Sequence, residues 1–116
     1  MAEMPSSPGR LKRRAEFLRL AAKGRKAPMP SLVLQALARG DDLPVRLGFT
    51  VTRKVGNAVV RNRTRRRLKE ASRLLLAEQQ VTGFDLVLIG RAATRSRNFA
   101  ALQDDIRRAL NRAGVR

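Results

Sequence analysis

The chain contains no cysteine, histidine, tryptophan or tyrosine. Without cysteine there are no disulfides, thiolate nucleophiles or thiolate zinc sites. Without histidine, the side chain that most often moves protons near neutral pH is missing too. A protein-built active site would have to come from nine acidic residues, and these are scattered. The adjacent Asp41 and Asp42, the sole candidate metal motif, sit in a turn and read as solvated, so no metal site is expected in the protein. Long apolar runs are also missing. Nothing approaches the ~18 residues of a membrane span, and MAEMPSSPGR lacks the apolar stretch of a signal peptide. The expectation is a soluble, cytoplasmic protein that carries a disordered tail over residues 1–9 and a single domain over residues 10–116.

Positive charge is abundant. Lysine and arginine number 26 against nine acids, a formal charge of +17, and arginine outnumbers lysine roughly four to one. Such a chain repels itself and attracts polyanions. The arginine bias favours bidentate contact with phosphate, hence nucleic acid over a merely soluble surface. With only four phenylalanines, any platform for stacking bases is sparse.

Periodicity divides the domain into short elements. Apolar spacing predicts a helix over 12–23 closed by Gly24, a strand over 31–37 and a half-buried strand over 45–52. In the last of these Val45, Leu47, Phe49 and Val51 face one way, and Arg46, Gly48, Thr50 and Thr52 form an open polar face. A long helix follows over 58–80 with Asn57 as N-cap, then a compact strand over 84–89 and a final helix around Phe99, Leu102, Ile106 and Leu110, stopped by Gly114. A short extra strand is expected near 25–29. The fold class is therefore an α/β (α+β) sandwich: a small four-stranded mixed sheet with helices packed on it, in the order α-β-β-β-α-β-α.

The stretch GNAVVRNRTRRRLKE, residues 56–70, places six cations and one carboxylate in the first half of the long helix. At 100° per residue, Val60, Thr64, Leu68, Ala71 and Leu75 form one apolar stripe. Arg61, Arg65, Lys69 and Arg73 make an i, i+4 row on another face, with Asn62 and Arg66 beside it, while Arg63 and Arg67 continue toward the core edge. Like charges at this spacing cost about 0.2–0.5 kcal/mol per pair, and cations near a helix N-terminus oppose the macrodipole. A surface selected only for solubility would mix signs. Phosphates relieve the repulsion, and the counterions they release supply binding free energy. Composition alone leaves the choice of nucleic acid open, and a ribosomal or chromatin-type binding protein without a catalytic partner would share it. A protein-only nuclease would need a carboxylate cluster.

The segment LGFTVTRKVGNAVVRNRTRRRLKE, residues 47–70, resembles the signature of the bacterial ribonuclease P protein subunit, with its Arg-Asn-Arg core at Arg61, Asn62 and Arg63. LKRRAEFLRLAAKG resembles that family's first helix and FDLVLIGR its late strand. The resemblance implies a protein that assists a catalytic RNA in removing the 5′ leader from precursor tRNA. The protein would hold no cofactor of its own, with Mg2+ held through the RNA subunit. It implies an RNA-binding set of Lys54, Asn57, Arg61, Asn62, Arg63, Arg65, Arg66 and Lys69. It further implies a leader-binding cleft between the sheet and the first helix, mapped onto Arg13, Phe17, Thr50, Thr52 and Arg53, with Arg10 and Arg14 at its edge. Phe17 reads equally well as a core residue of its helix. Ala21 and Gln35 stand where the family more commonly has aromatic residues, which shifts the expected leader contacts from π-faces toward phosphate and methylene groups. The resemblance also implies a left-handed strand-helix-strand crossover across residues 45–90, where general rules give a right-handed one.

Overall fold

The structure is a computed structural model that describes residues 9–115. The tail expected over residues 1–9 lies outside the described residues except for Gly9, which belongs to a strand. In chain order the elements are β1 (Gly9–Arg10), α1 (Arg14–Lys23), β2 (Arg25–Pro28), β3 (Leu32–Ala38), β4 (Arg46–Val51), a 3-10 turn (Arg53–Val55), α2 (Ala58–Gln79), β5 (Phe84–Gly90), α3 (Ala92–Ser96) and α4 (Phe99–Arg112).

The five strands form one mixed sheet in the order β1-β4-β5-β3-β2. Strands β1, β4 and β5 run parallel, while β3 is antiparallel to both β5 and β2. The expected sheet had four strands. The fifth, β1, is held by the Gly9 N–H donating to the Val45 carbonyl and the Leu11 N–H to that of Leu47. Two residues have no periodicity of their own, so only their tertiary partner makes them a strand. The five-residue α3 escaped the same reading for the same reason.

Alternation along the strands sorts side chains to two faces. Leu34, Leu47, Leu86 and Leu88 meet Leu68 and Leu75 of α2 and Ile106 and Leu110 of α4 in the main core. On the opposite face Val87 joins Leu11 and Leu20 under α1, with Phe17 and Ile89 packed against them. The predicted stripe of α2 holds: Thr64, Leu68, Ala71 and Leu75 are buried and Val60 is half-buried. Asn57 caps the helix as expected, its Oδ1 accepting from the Val60 N–H at 3.0 Å. Gly24 closes α1 in extended rather than left-handed conformation.

The α1 face of the sheet is less open than the alternation implied. Gly48 is buried because the Phe17 ring lies over it: a Cβ built there would stand 2.6 Å from Phe17 Cε1. Beyond Phe17, Pro28, Val33, Ile89 and Thr50 line up across four strands and remain partly accessible.

At the other end of that face a chain of alternating charge ties β4, β5 and the turn after β3 to α1. Glu16 pairs with Arg46 at 2.8 Å, Arg46 with Asp85 at 2.7 Å, Asp85 with Arg39 at 2.7 Å and Arg39 with Asp41 at 3.0 Å. Burial alone would raise the Asp85 carboxyl, but the hydrogen bonds from Arg46 and Arg39 outweigh it and hold it below the usual range. Backbone N–H groups of Arg13 and Lys12 lower Glu16, and the Arg39 guanidinium lowers Asp41. A carboxylate with a depressed folded pKa contributes stability that is complete above its unfolded value. That stability is lost as pH falls through the folded one. Melting temperature should therefore be flat from neutrality to about pH 5 and fall below about pH 4. In Asp85→Asn it should start lower, by about 2 kcal/mol of stability, and show a shallower acid limb. An acid limb as steep as in the parent chain would show that Asp85 does not carry the linkage.

Candidate nucleic-acid interface

The turn into α2 sets where the cations point. Gly56 has φ +155°, and a Cβ there would stand 2.8 Å from Val60 Cγ1, so the chain enters the helix through a conformation open to glycine. Asn57 follows as the cap. From there the apolar stripe sits on the sheet, and the basic residues fall on the remaining arc.

Asn62, Arg65, Arg66, Lys69 and Arg73 line one wall of a groove of about 920 Å³. The opposite wall comes from residues 9–11 and from Leu47, Gly48 and Phe49, with Phe17 of α1 also among the lining residues. The groove runs along the edge of β4, which β1 covers only at Arg46 and Leu47. Within it Arg65 Nη1 donates to Asn62 Oδ1 at 2.8 Å, which orients that guanidinium, and Glu70 relieves Arg73 through a 2.7 Å ion pair. Arg66 and Lys69 are exposed with no carboxylate partner among the described residues. Phe49 is half-buried, packing on the main core while bordering the groove.

The expected residues distribute as follows. Asn62, Arg65, Arg66 and Lys69 share the groove with Phe17. Arg61 is half-buried, and its Nε is enclosed with no hydrogen-bond partner among the described residues. Arg63 is exposed outside the groove. Asn57 spends its side-chain oxygen on the cap, and Lys54 and Arg53 stand exposed in the 3-10 turn. Thr50 shares the sheet face of Phe17 in the row with Ile89, while Thr52 is exposed just beyond β4. Arg13 is apart from these, in a separate hollow at the start of α1 with Arg10, Lys12, Glu16 and Arg46. Of the two positions without aromatics, Ala21 is exposed on α1 and Gln35 is buried at 7% exposure, level with Val87 and Gly48.

One contributor, Phe49, went unnoticed in the sequence, and the places of Arg10 and Arg67 follow only from the fold. Phe49 was assigned wholly to the core by alternation, and only the shortness of β1 leaves it at an open edge. Arg10 reaches the groove through β1. Arg67, within the basic run, turns away from the groove: its Nη1 donates to the carbonyls of Thr94 at 2.8 Å and Arg95 at 2.7 Å. The wheel placed it toward the core edge, but its partners lie 27 and 28 residues away.

The acidic residues are equally informative. Six of the nine, Glu16, Asp41, Glu70, Asp85, Asp104 and Asp105, are paired with arginines. These pairs concentrate at the Arg46 end of the sheet and along α4. The first half of α2 is left with its positive charge uncompensated.

A model of the Ribonuclease P family matches residues 6–114. The chain is 66% identical over 107 residues to the Ribonuclease P protein component of Gluconacetobacter diazotrophicus, an alignment covering 92% of each. Among solved structures, the RNase P protein of Staphylococcus aureus superposes with a TM-score of 0.74 at 27% identity, covering 91% of this chain and 95% of that one. The RNase P protein from Thermotoga maritima superposes with a TM-score of 0.70 at 29% identity, covering 89% and 96%.

Proposed function

This chain belongs to the ribonuclease P family as one of its protein subunits, and on that premise we propose that it binds the catalytic RNA and the 5′ leader of precursor tRNA and assists removal of the leader. One observation carries the reading: the cationic row of α2 and the Phe17 ring border the same groove. A strand of RNA lying there meets guanidinium and ammonium groups along its phosphates and a phenyl face for a base. Positively charged grooves with an aromatic side chain suit single strands.

The protein's part is electrostatic and positional. Two polyanions, the catalytic RNA and its substrate, repel each other, and a chain of formal charge +17 lying between them neutralises phosphates of both and releases their counterions. The hydrolysis itself is assigned to Mg2+ held by the RNA. Six of the protein's carboxylates are already occupied by arginines, which leaves them poorly placed to gather around a cation of their own. The unit of binding is the single domain over residues 10–116, working in the cytoplasm beside its RNA. Among the described residues no helix is long and apolar enough to cross a membrane.

The reading is tested by measuring the affinity of the reconstituted ribonucleoprotein for precursor tRNAs whose leaders increase in length. Affinity should rise with the leader until the groove is filled, then level off. Phe17→Ala should remove about tenfold of that gain, the value of stacking one base at roughly 1–3 kcal/mol, and leave leaderless tRNA unaffected. Affinity independent of leader length would contradict leader binding by the groove.

A further inference from the structure

Arg67 and the groove lie on opposite flanks of α2. Lys69, which lines the groove, comes two residues after Arg67, about 160° away around the helix axis at 3.6 residues per turn. What Arg67 holds is α3, through the carbonyls of Thr94 and Arg95. This five-residue helix is too short to persist in water alone, and it is fastened from two further directions. The buried Thr94 hydroxyl donates to the Ser31 carbonyl and accepts from the Arg91 N–H at 2.9 Å. Arg97, just past the helix, donates to both oxygens of buried Asp105 at 2.9 and 3.1 Å, and Asp105 also accepts from Ser31 Oγ at 2.7 Å.

These anchors consume Arg67, Arg97 and Asp105 and leave two arginines of the same segment free. Arg91 and Arg95 are exposed, and among the described residues neither has a carboxylate partner. Arg63, also exposed, lies one turn before Arg67 on the same flank of α2. An unpaired cationic cluster on a turn held by seven hydrogen bonds, two of them buried, is more than a solvated loop, which would need no such support.

We propose that α3 is a second phosphate-docking element. Arg91 and Arg95, beside Arg63, hold the backbone of a further RNA segment on the flank of α2 opposite the groove, and Arg67 is a positioning residue that sets them without touching RNA. The proposal rests on the reading that the chain binds RNA, and it adds a contact surface that the groove does not include. It makes α2 a partition, with one stretch of RNA backbone on each side.

The test uses the full chain and the catalytic RNA, with affinity measured across a salt series and melting temperature recorded for every variant. Arg91→Ala combined with Arg95→Ala should take about 1.4–1.8 units off the slope of log affinity against log salt, two contacts at 0.7–0.9 each, with melting temperature unchanged. Arg67→Ala should also weaken binding. Adding the Arg91 and Arg95 substitutions to it should then cost little more, because the surface is already displaced. An unchanged slope in the Arg91, Arg95 variant would overturn the docking surface, and this arm stands even should Arg67→Ala fail to fold. Strictly additive losses would overturn the positioning role and make Arg67 a contact. Were the parent chain to bind the RNA without salt dependence, the RNA-binding reading would fail first and take this surface with it.

Discussion

Replacing Arg65, Arg66 and Lys69 together with alanine should weaken the chain's binding to leader-bearing precursor tRNA about a thousandfold and remove about two to three units from the salt slope. Each of these side chains lines the groove. A charge-assisted contact with phosphate is worth about 1.5 kcal/mol, roughly tenfold in affinity, and each neutralised phosphate contributes about 0.7–0.9 to the slope. The same substitutions should act on the free protein in the opposite direction. Arg65 and Lys69 are i, i+4 neighbours, and Arg66 and Lys69 are i, i+3 neighbours, so each pair costs about 0.2–0.5 kcal/mol in the isolated helix. The triple variant should therefore melt slightly higher while binding far less tightly. Equilibrium binding across salt together with thermal melts separates the two. A variant that both binds and melts like the parent would show that the row is a solvated face.

Asp105→Ala should destabilise the protein by about 2–3 kcal/mol, lowering the melting temperature by on the order of 10–20 °C. Its carboxylate is 2% exposed and accepts from Ser31 and Arg97. Removal strands the fully buried Ser31 hydroxyl and leaves a cavity beside α4. The Arg97 side chain is 38% exposed, so water takes up part of its lost pairing, which keeps the cost below the upper range for a fully buried ion pair. Burial opposes ionisation of Asp105, but the Ser31 hydroxyl and Arg97 prevail and hold its pKa below the ordinary value. Asp105→Asn, which keeps the shape and one acceptor oxygen, should cost about half as much. Urea denaturation of the three chains measures the difference. Equal stability of all three would show that the Ser31–Asp105–Arg97 contacts contribute nothing net.

How much of this was legible in the sequence depended on how local each determinant is. The α2 helix was readable because its signals are its own: Asn57 at the cap, a stripe recurring at helical spacing, and a run of cations confined to the remaining arc. The strands 32–38 and 84–90 were readable within one residue because apolar runs of that length, bounded by turn residues, have few alternatives. The edge of the sheet was not. Whether two residues count as a strand, whether Phe49 is core or groove, and whether Gly48 is open or covered by Phe17 all depend on elements that meet only after folding.

The basic residues divide in the same way. Their number and sign called for a polyanion, and the wheel separated a stripe from a row. No local rule could show that Arg67 would be consumed by α3, that Arg97 would be consumed by Asp105, or that Arg46 and Arg39 would close a charge chain through Asp85. Each of those pairings spans between 8 and 46 residues. Arginine count therefore overstates the charge available to RNA. Among the arginines not spent inside the fold are those of the groove row, the 3-10 turn, the start of α1, Arg63 and the α3 pair.

Cleavage of precursor tRNA by the catalytic RNA at low magnesium, with and without this chain, tests the central claim most directly. The protein should raise the rate of leader removal most where magnesium is scarce, since its cations then supply the neutralisation that the metal otherwise provides, and the protein alone should cleave nothing. A rate unchanged by the protein at every magnesium concentration, or cleavage by the protein without RNA, would contradict it.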